Sequence, residues 1–258
     1  MKLKANLHFH TKEDINDIVD YTLREGIDHA SKLGFDVLAV TCHRHNAWTE
    51  EHAEYAKEKG ILLIPGAEIN VDEDPSKLGR HTVILNSGAD SAMIETFEQL
   101  AKYKEKHPEV FVIAVHPYFY GNFSLKEYLE KYIDLYDAIE HSWFYSKMFN
   151  RNKKAVEMAK KYNKPLIATS DTHYLYEDGR HMNRNYAIID AEEKTIPAIF
   201  NAIREGNFIN VTKPSNFWRD MFWGQLRHYT ETFWDKRGVK KAYLKEKRER
   251  HLKQKDKE

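Results

Sequence analysis

The chain has 258 residues, 41% hydrophobic and 31% charged, the mixture of an ordinary soluble protein long enough to bury a proper core. Forty Lys/Arg against forty Asp/Glu leave whole-chain charge silent about partners, and a single cysteine, Cys42, excludes an internal disulfide and suits a reducing compartment. No apolar run approaches the roughly 20 residues of a membrane span, and the start, MKLKANLHFH, lacks the long apolar core of a secretory signal, so a cytoplasmic location is expected.

Short apolar, β-branched-rich runs bounded by Gly, Pro, Asn or Asp predict strands at 3–9, 36–42, 61–66, 81–86, 110–115, 136–141, 165–170, 186–190 and 208–211. After the first of them Ile15, Ile18, Val19, Leu23, Ile27, Ala30 and Leu33 recur at helical spacing. Ile94, Phe97 and Leu100 repeat the pattern, as do Leu125, Leu129 and Ile133, and then Ile196, Ile199, Phe200 and Ile203. Gly34, Gly60 and Gly206 fall just past expected helix ends, where a left-handed residue is wanted. Strands alternating with helices imply a mostly parallel sheet, and about seven such units in some 210 residues favour a barrel over an open sheet.

No repeat or low-complexity linker divides this region, so 1–214 reads as one domain. Beyond it Phe217, Trp218, Phe222, Trp223, Tyr229, Phe233 and Trp234 read as the buried face of a helix packing on its own domain. Residues 236–258 then hold eleven Lys/Arg against four acids, a surplus of seven that residues 1–235 balance with the opposite sign. The expectation for 215–258 is an aromatic, then basic, helical extension.

The fourteen histidines matter by placement. His8 and His10 end the first predicted strand one residue apart, so both face one side. His43, His116 and His141 close later strands, Glu68 follows ILLIPGA, Asp171 and His173 follow PLIATS, and His81 opens HTVILN. In a parallel α/β barrel the C-terminal strand ends converge on one mouth, where sites form. A lone histidine at a strand end is usually a hydrogen-bonded surface residue, but independent bland explanations for six strand ends at once are poor ones. Imidazole and carboxylate form the ligand set of Zn, Mn or Fe, and no thiolate cluster is present to build a structural zinc site.

HFH at 8–10, TCH at 41–43, PGAE at 65–68, RH at 80–81, AVHP at 114–117 and SDTH at 170–173 occur in the order found in the PHP (polymerase and histidinol phosphatase) family, which the chain resembles from about residue 6 to residue 214. The resemblance implies an α/β fold, a distorted seven-stranded β/α (TIM-like) barrel, here with a C-terminal helical extension. Its mouth is expected to bind two or three divalent metal ions (Zn, Mn or Fe). Carried over, the ligands are His8, His10, His43, Glu68, His81, His116, Asp171 and His173, with Glu68 bridging two ions and Glu68, His43 and Asp171 central to catalysis. A further acidic ligand belongs a few residues beyond HFH. Asp14 is the choice, Glu13 and Asp17 are the alternatives, and Asp14 competes for a second role as N-cap of the next helix. Cys42 stands where many relatives have Asp and is not counted as a ligand.

Such a site activates a water and clamps phosphoryl oxygens, so it needs no covalent nucleophile. The sequence shows no GxSxG elbow, no GxxxxGK[ST] loop and no CxxxxxR signature. Among the rim cations Arg44, Arg80, Arg151, Arg180, Arg184 and Lys213, Arg44 and Arg180 lie nearest the metal motifs and are the expected phosphate binders. His45 and His141 are expected to hydrogen-bond behind the ligands. Two aromatic runs, Tyr118-Phe119-Tyr120 and Trp143-Phe144-Tyr145, either stack on a base or sugar or pack as a lid. The expected function is metal-dependent hydrolysis of a small phosphorylated metabolite or nucleotide. The rival is a PHP-type exonuclease or nucleic-acid-associated module using the basic tail. Amidohydrolase barrels also begin with HxH, but Glu68 and PLIATSDTH fit the phosphoesterases better.

Overall fold

The computed structural model describes residues 1–119 and 121–223. Its strands are β1 (Lys2–Phe9), β2 (Val37–Val40), β3 (Leu62–Ile64), β4 (Gly66–Val71), β5 (Arg80–Leu85), β6 (Phe111–Ala114), β7 (Ala138–His141), β8 (Leu166–Ala168), β9 (Asn185–Asp190) and β10 (Phe208–Thr212). The α-helices are α1 (Leu23–Lys32), α2 (Glu50–Glu58), α3 (Phe97–Lys106), α4 (Glu127–Lys131), α5 (Asn152–Lys161) and α6 (Ile196–Arg204). All nine expected strands form. The tenth, β4, arises because the run at 61–66 continues beyond Pro65 instead of ending there. Gly66 permits this, since a Cβ there would lie 2.8 Å from the Ile84 carbonyl oxygen of the neighbouring strand.

The strands make an α/β fold of two five-stranded sheets, ordered β10-β9-β1-β2-β3 and β4-β5-β6-β7-β8. The mostly parallel arrangement expected from the sequence gives way to a mixed one. Pairs β1–β2, β2–β3, β6–β7 and β7–β8 are parallel. Pairs β1–β9, β9–β10, β4–β5 and β5–β6 are antiparallel. The connection between β4 and β5 has only eight residues, too few for a parallel crossover, so β5 must return antiparallel.

Among the described residues no continuous ladder closes these sheets into a barrel. Two single bridges join them instead, Phe9 with Thr172 and His43 with Glu68. Side-chain amides of the first sheet complete the seam by binding backbone and side-chain groups of the second. Asn210 donates to Leu166 O (2.6 Å) and accepts from Ala168 N (2.8 Å). Asn185 donates to the carbonyls of His141 and Thr169, each at 2.6 Å. Asn6 donates to Ser170 Oγ (2.6 Å) and accepts from Ser170 N (3.2 Å). These bonds meet the polar groups that a closed barrel would satisfy with backbone ladders.

One apolar core lies between the sheets, from Leu3, Ala5 and Leu7 through Val83 and Ile113 to Ile199 and Phe200 of α6. Phe200 stacks on Phe111, the first residue of β6, at 4.8 Å, so α6 plugs the end where β6 begins. Helices α1 and α2 cover the outer face of the first sheet, and α3, α4 and α5 that of the second. The helical pattern expected from Ile15 onward begins only at Leu23. There Thr22 and Glu25 form a reciprocal capping box, and Ile15 and Ile18 are left 54% and 44% exposed. Gly34, Gly60 and Gly206 have the expected positive φ of 73°, 78° and 79°. No helix among the described residues is long and apolar enough to cross a membrane.

The chain then forms a π-helical segment, Phe217–Trp223, tied back by Arg184 to Asp220 at 2.6 Å. Trp218 and Phe222 are 61% and 46% exposed, so these two do not supply the buried aromatic face expected of them. Tyr229, Phe233, Trp234 and the basic tail lie outside the described residues.

Candidate metal centre

Period-two alternation explains how a short strand can aim two histidines at one point, and β1 adds a bulge. Between Asn6 and Phe9 it carries one more residue than β2. Leu3, Ala5 and Leu7 face the inter-sheet core, whereas Phe9 faces the outer cluster under α1. The phase change leaves His8 and His10, both fully buried, on the inner side. His10 N donates to Thr172 O at 3.1 Å, which lays the SDTH segment along the end of β1. Glu68 N donates to Cys42 O at 3.1 Å and its carbonyl accepts from Arg44 N at 2.8 Å, which sets β4 beside the end of β2. His81 opens its strand yet joins the residues that close theirs, because β5 is antiparallel to β4. His116 and Asp171, together with Arg44, hold left-handed φ values of 26°, 46° and 49°, strain that the surrounding hydrogen bonds must maintain.

All eight of the ligand candidates carried over from the family motifs come together, with Glu68 at their centre. Its Oε1 lies 2.7 Å from His81 Nδ1 and 3.1 Å from His116 Nε2. Its Oε2 lies 3.1 Å from His43 Nε2, 3.2 Å from His10 Nε2 and 3.3 Å from His8 Nε2. Asp171 Oδ1 is 3.3 Å from His10 Nε2 and 3.4 Å from both His8 Nε2 and His173 Nδ1. Ligand atoms within 4.8 Å of one another form four overlapping groups: His8/His10/Glu68, His43/Glu68/His81, His8/His116/Asp171 and His10/His43/His173. One carboxylate therefore faces two sets of imidazoles through its two oxygens, the arrangement of a bridging ligand.

The hydrogen bonds behind the imidazoles test whether this donor set fits metal ions. His8 Nδ1 donates to Glu140 Oε1 at 2.9 Å. His10 Nδ1 and His43 Nδ1 both donate to Asp14 Oδ2, at 2.8 and 2.9 Å. With Nδ1 carrying the proton, the Nε2 lone pairs of all three rings point at Glu68 Oε2, and His8 Nε2 and His10 Nε2 stand 3.1 Å apart. Lone pairs facing a carboxylate repel unless a cation lies between them, so the set fits divalent ions.

Where no ion lies between them, the same carboxylates draw protons onto the rings instead, so the site calls for positive charge either way. Burial alone would lower the His8 pKa, but Asp171, Glu68 and Glu140 outweigh it and raise the ring to about 10. Against the same opposing burial, Asp14, Asp171 and Glu68 raise His10. Burial works the other way on Glu68 and is overcome by His81, His43 and His8, which hold the carboxyl well below its usual range. Asp171 is held down similarly by His8 and His173. His81 goes the other way, to about 4, because burial there exceeds the pull of Glu68. The pocket is built for positive charge at its centre.

Asp14 reaches the site in a role other than the expected one. Its Oδ2 is occupied by His10 and His43, including His43 N at 2.8 Å, and its Oδ1 accepts from the backbone of Asn16 and Asp17. It caps a local turn and orients two imidazoles, and Thr22 caps the helix instead. Of the alternatives, Asp17 Oδ2 approaches His173 Nε2 at 3.2 Å and His43 Nδ1 at 3.5 Å. Glu13 pairs with none of the cluster imidazoles among the described residues.

Glu140 escapes sequence reasoning. It is fully buried, takes His8 Nδ1 and Thr169 Oγ1 on one oxygen, and takes His116 N on the other. Its neighbour His141 ends the strand and was the residue expected at the site. Ala138 faces the inter-sheet core and Ile139 the outer one, so alternation turns Glu140 inward. His141 instead meets Tyr145 edge-on at 5.2 Å. His45 is partly exposed beside His43. Cys42 is buried against Thr11 Oγ1 at 3.2 Å, and burial pushes its thiol up to about 11, so it is no nucleophile.

The rim cations divide by what already holds them. Arg80 Nη1 lies 3.3 Å from buried Asp72 and donates to Asn122 O at 2.7 Å. Arg184 pairs with Asp220. Arg180 stacks on Tyr176 at 3.7 Å and reaches Asp178 at 3.1 Å. Arg44 Nη2 donates to Asn16 Oδ1 at 2.6 Å beside the cluster. On the other flank Phe123 packs against both His81 (5.0 Å) and His116 (5.8 Å).

Comparison with solved structures finds the same fold. A two-domain protein from Bacteroides vulgatus ATCC 8482 containing a predicted PHP-like metal-dependent phosphoesterase matches at 20% identity and a TM-score of 0.58, over 82% of this chain. The match spans 65% of that protein, just under two thirds of its length. A protein from Bifidobacterium adolescentis ATCC 15703 described as a metal-dependent phosphoesterase matches at 16% identity and 0.55, over 77% of this chain and 96% of its own. PfuEndoQ, a lesion-specific endonuclease from Pyrococcus furiosus, matches at 14% identity and 0.58, over 81% of this chain and 58% of its own. The comparison with curated proteins gave no match. The PHP domain family model matches residues 6–209, the span that carries every member of the imidazole–carboxylate cluster, and the chain belongs to the PHP domain family.

Proposed function

We propose that the protein hydrolyses a phosphate ester of a small metabolite or nucleotide at this centre. The observation that carries the reading is Glu68, whose two carboxylate oxygens face two separate sets of imidazole nitrogens at 2.7–3.3 Å. His8, His10, His43, Glu68, His81, His116, Asp171 and His173 would hold two or three divalent ions of the Zn, Mn or Fe kind, with Asp17 as the added acid in place of Asp14. When bound, such ions supply an activated water and a clamp on the phosphoryl oxygens. Asp14 and Glu140 fix the tautomers of His10, His43 and His8, so their Nε2 lone pairs stay available. Arg44, beside the cluster, orients the phosphate, and Arg180 supports it from the 176–181 turn.

Around this site we take 1–214 as the catalytic domain, a distorted barrel closed at its seam by Asn side chains, and 215–258 as an extension. The buried free thiol of Cys42 supports a reducing, cytoplasmic setting. A nucleic-acid substrate is the less favoured reading, supported by the basic residues of 236–258 and by the fold of PfuEndoQ. The test is Glu68→Gln. It removes one of the two anionic oxygens, so phosphate release should fall at least a thousandfold and metal content should drop while the circular dichroism spectrum is kept. Normal turnover in this variant would remove the proposal.

A further inference from the structure

The turn after the metal motifs holds a histidine that the reaction described above does not use. His181 is 7% exposed, and among the described residues neither of its ring nitrogens makes a hydrogen bond of good geometry, only a weak contact with the Tyr174 backbone reaching the ring. A neutral imidazole offers one N–H donor and one acceptor, and buried polar groups of this kind are almost always satisfied. Burial first, and then the neighbouring charge of His173, hold its pKa down to about 4, so the ring is neutral at ordinary pH.

Its surroundings are aromatic. Trp143 meets it edge-on at 4.7 Å and Tyr176 at 6.3 Å. From Trp143 the rings continue to Phe144 (5.3 Å), then Phe119 (4.5 Å), then His116 of the cluster (6.2 Å). At the other end Tyr176 carries the Arg180 guanidinium on its face at 3.7 Å. A series of rings thus leads from His116 of the metal cluster to Tyr176, with His181 set in it. The backbone fixes the position, because Gly179 N donates to Tyr176 O (2.7 Å), Asn183 N to Gly179 O (2.8 Å) and Arg184 N to His181 O (3.3 Å).

We propose that His181 is a specificity-determining residue that hydrogen-bonds the edge of a heteroaromatic group in the organic part of the ester. This inference rests on the phosphoesterase reading. A neutral ring with one donor is a poor holder of a phosphate dianion, which charged Arg side chains serve better. The same ring inside a wall of aromatic faces suits a planar group that stacks and presents one polar atom.

The test uses non-hydrolysable probes with the full-length protein loaded with Mn(II), titrated calorimetrically. The probes are inorganic phosphate, cyclohexylmethylphosphonate, benzylphosphonate and the three pyridylmethylphosphonate isomers. The wild type should bind the best pyridyl isomer about tenfold tighter than benzylphosphonate, as one good hydrogen bond allows. His181→Leu should bring that ratio to within about twofold of unity while leaving inorganic phosphate affinity unchanged. His181→Asn, which keeps a donor and an acceptor, should retain part of the ratio, and a loss of folding alone does not move a ratio between probes. A wild-type ratio of one, or an unchanged ratio in His181→Leu, overturns the role of His181 and leaves the phosphoesterase reading standing. A wild type that binds neither inorganic phosphate nor any phosphonate overturns both.

Discussion

Replacing Glu140 with Gln tests whether a fully buried carboxylate behind His8 controls the metal centre. The carboxylate accepts from His8 Nδ1 at 2.9 Å and from Thr169 on Oε1, and from His116 N on Oε2. Gln keeps the volume and one acceptor but adds an NH2 that can only donate. If the amide oxygen stays on His116 N, the NH2 faces His8 Nδ1, which must then accept. His8 changes tautomer and places a proton on Nε2, the atom that faces Glu68 Oε2 at 3.3 Å and His10 Nε2 at 3.1 Å. A protonated Nε2 cannot ligate. Partners that orient metal-bound histidines are typically worth 10–100-fold in affinity or activity, which is about 1.4–2.7 kcal/mol. Metal affinity measured by chelator competition should fall by that factor, and phosphate release with it. The metal-free variant should keep its fold with a loss of about 1–3 kcal/mol, because the amide retains an acceptor for His116 N and offers a donor to His8 Nδ1. Affinity within twofold of wild type would refute the orienting role of Glu140.

Three further outcomes follow from side chains away from the cluster. Arg80→Met should destabilise the fold by about 3 kcal/mol, because it leaves Asp72 buried and unpaired; a raised KM with unchanged urea stability would return Arg80 to the phosphate-binding list. Asn210→Ala opens the seam at Leu166 O and Ala168 N; the urea midpoint should report a loss of about 2 kcal/mol, and a neutral result would mean that the sheets do not depend on this amide. For Asp220 burial acts upward, but Arg219, the Asn216 amide and Arg184 outweigh it and hold the carboxyl at about 2. A depressed carboxylate stabilises above its unfolded value near 4 and loses that stability as pH falls toward 2. Asp220→Asn should therefore be less stable than wild type at pH 6 and indistinguishable at pH 2, and equal stability at pH 6 would contradict the pairing.

The cluster was legible in the sequence because its members sit in short motifs at strand ends, and strand ends are what hydrophobic patterning locates well. What patterning cannot see is which neighbour faces inward. His141 looked like the functional residue of YDAIEH, whereas alternation from Ala138 turns Glu140 to His8. Asp14 carried the right chemistry for ligation, yet its oxygens are committed to two imidazoles and three backbone amides, a commitment set by the path of residues 11–17. The expected barrel differs from the two observed sheets for a related reason. The seam is made by Asn6, Asn185 and Asn210, and nothing in a hydrophobic period marks an asparagine that substitutes for a ladder. His81 at the start of its strand was the one visible sign of an antiparallel member, since in a parallel sheet that residue would lie at the far end.

The most direct measurement is elemental analysis of the purified full-length protein beside Glu68→Gln, with phosphate release assayed on the same samples across nucleotides and sugar phosphates. Two or more divalent ions per chain in the wild type, fewer in the variant, and release by the wild type alone are the expected result. A wild type with no bound metal after incubation with Mn and Zn, or release that survives the loss of Glu68, would contradict the metal centre itself.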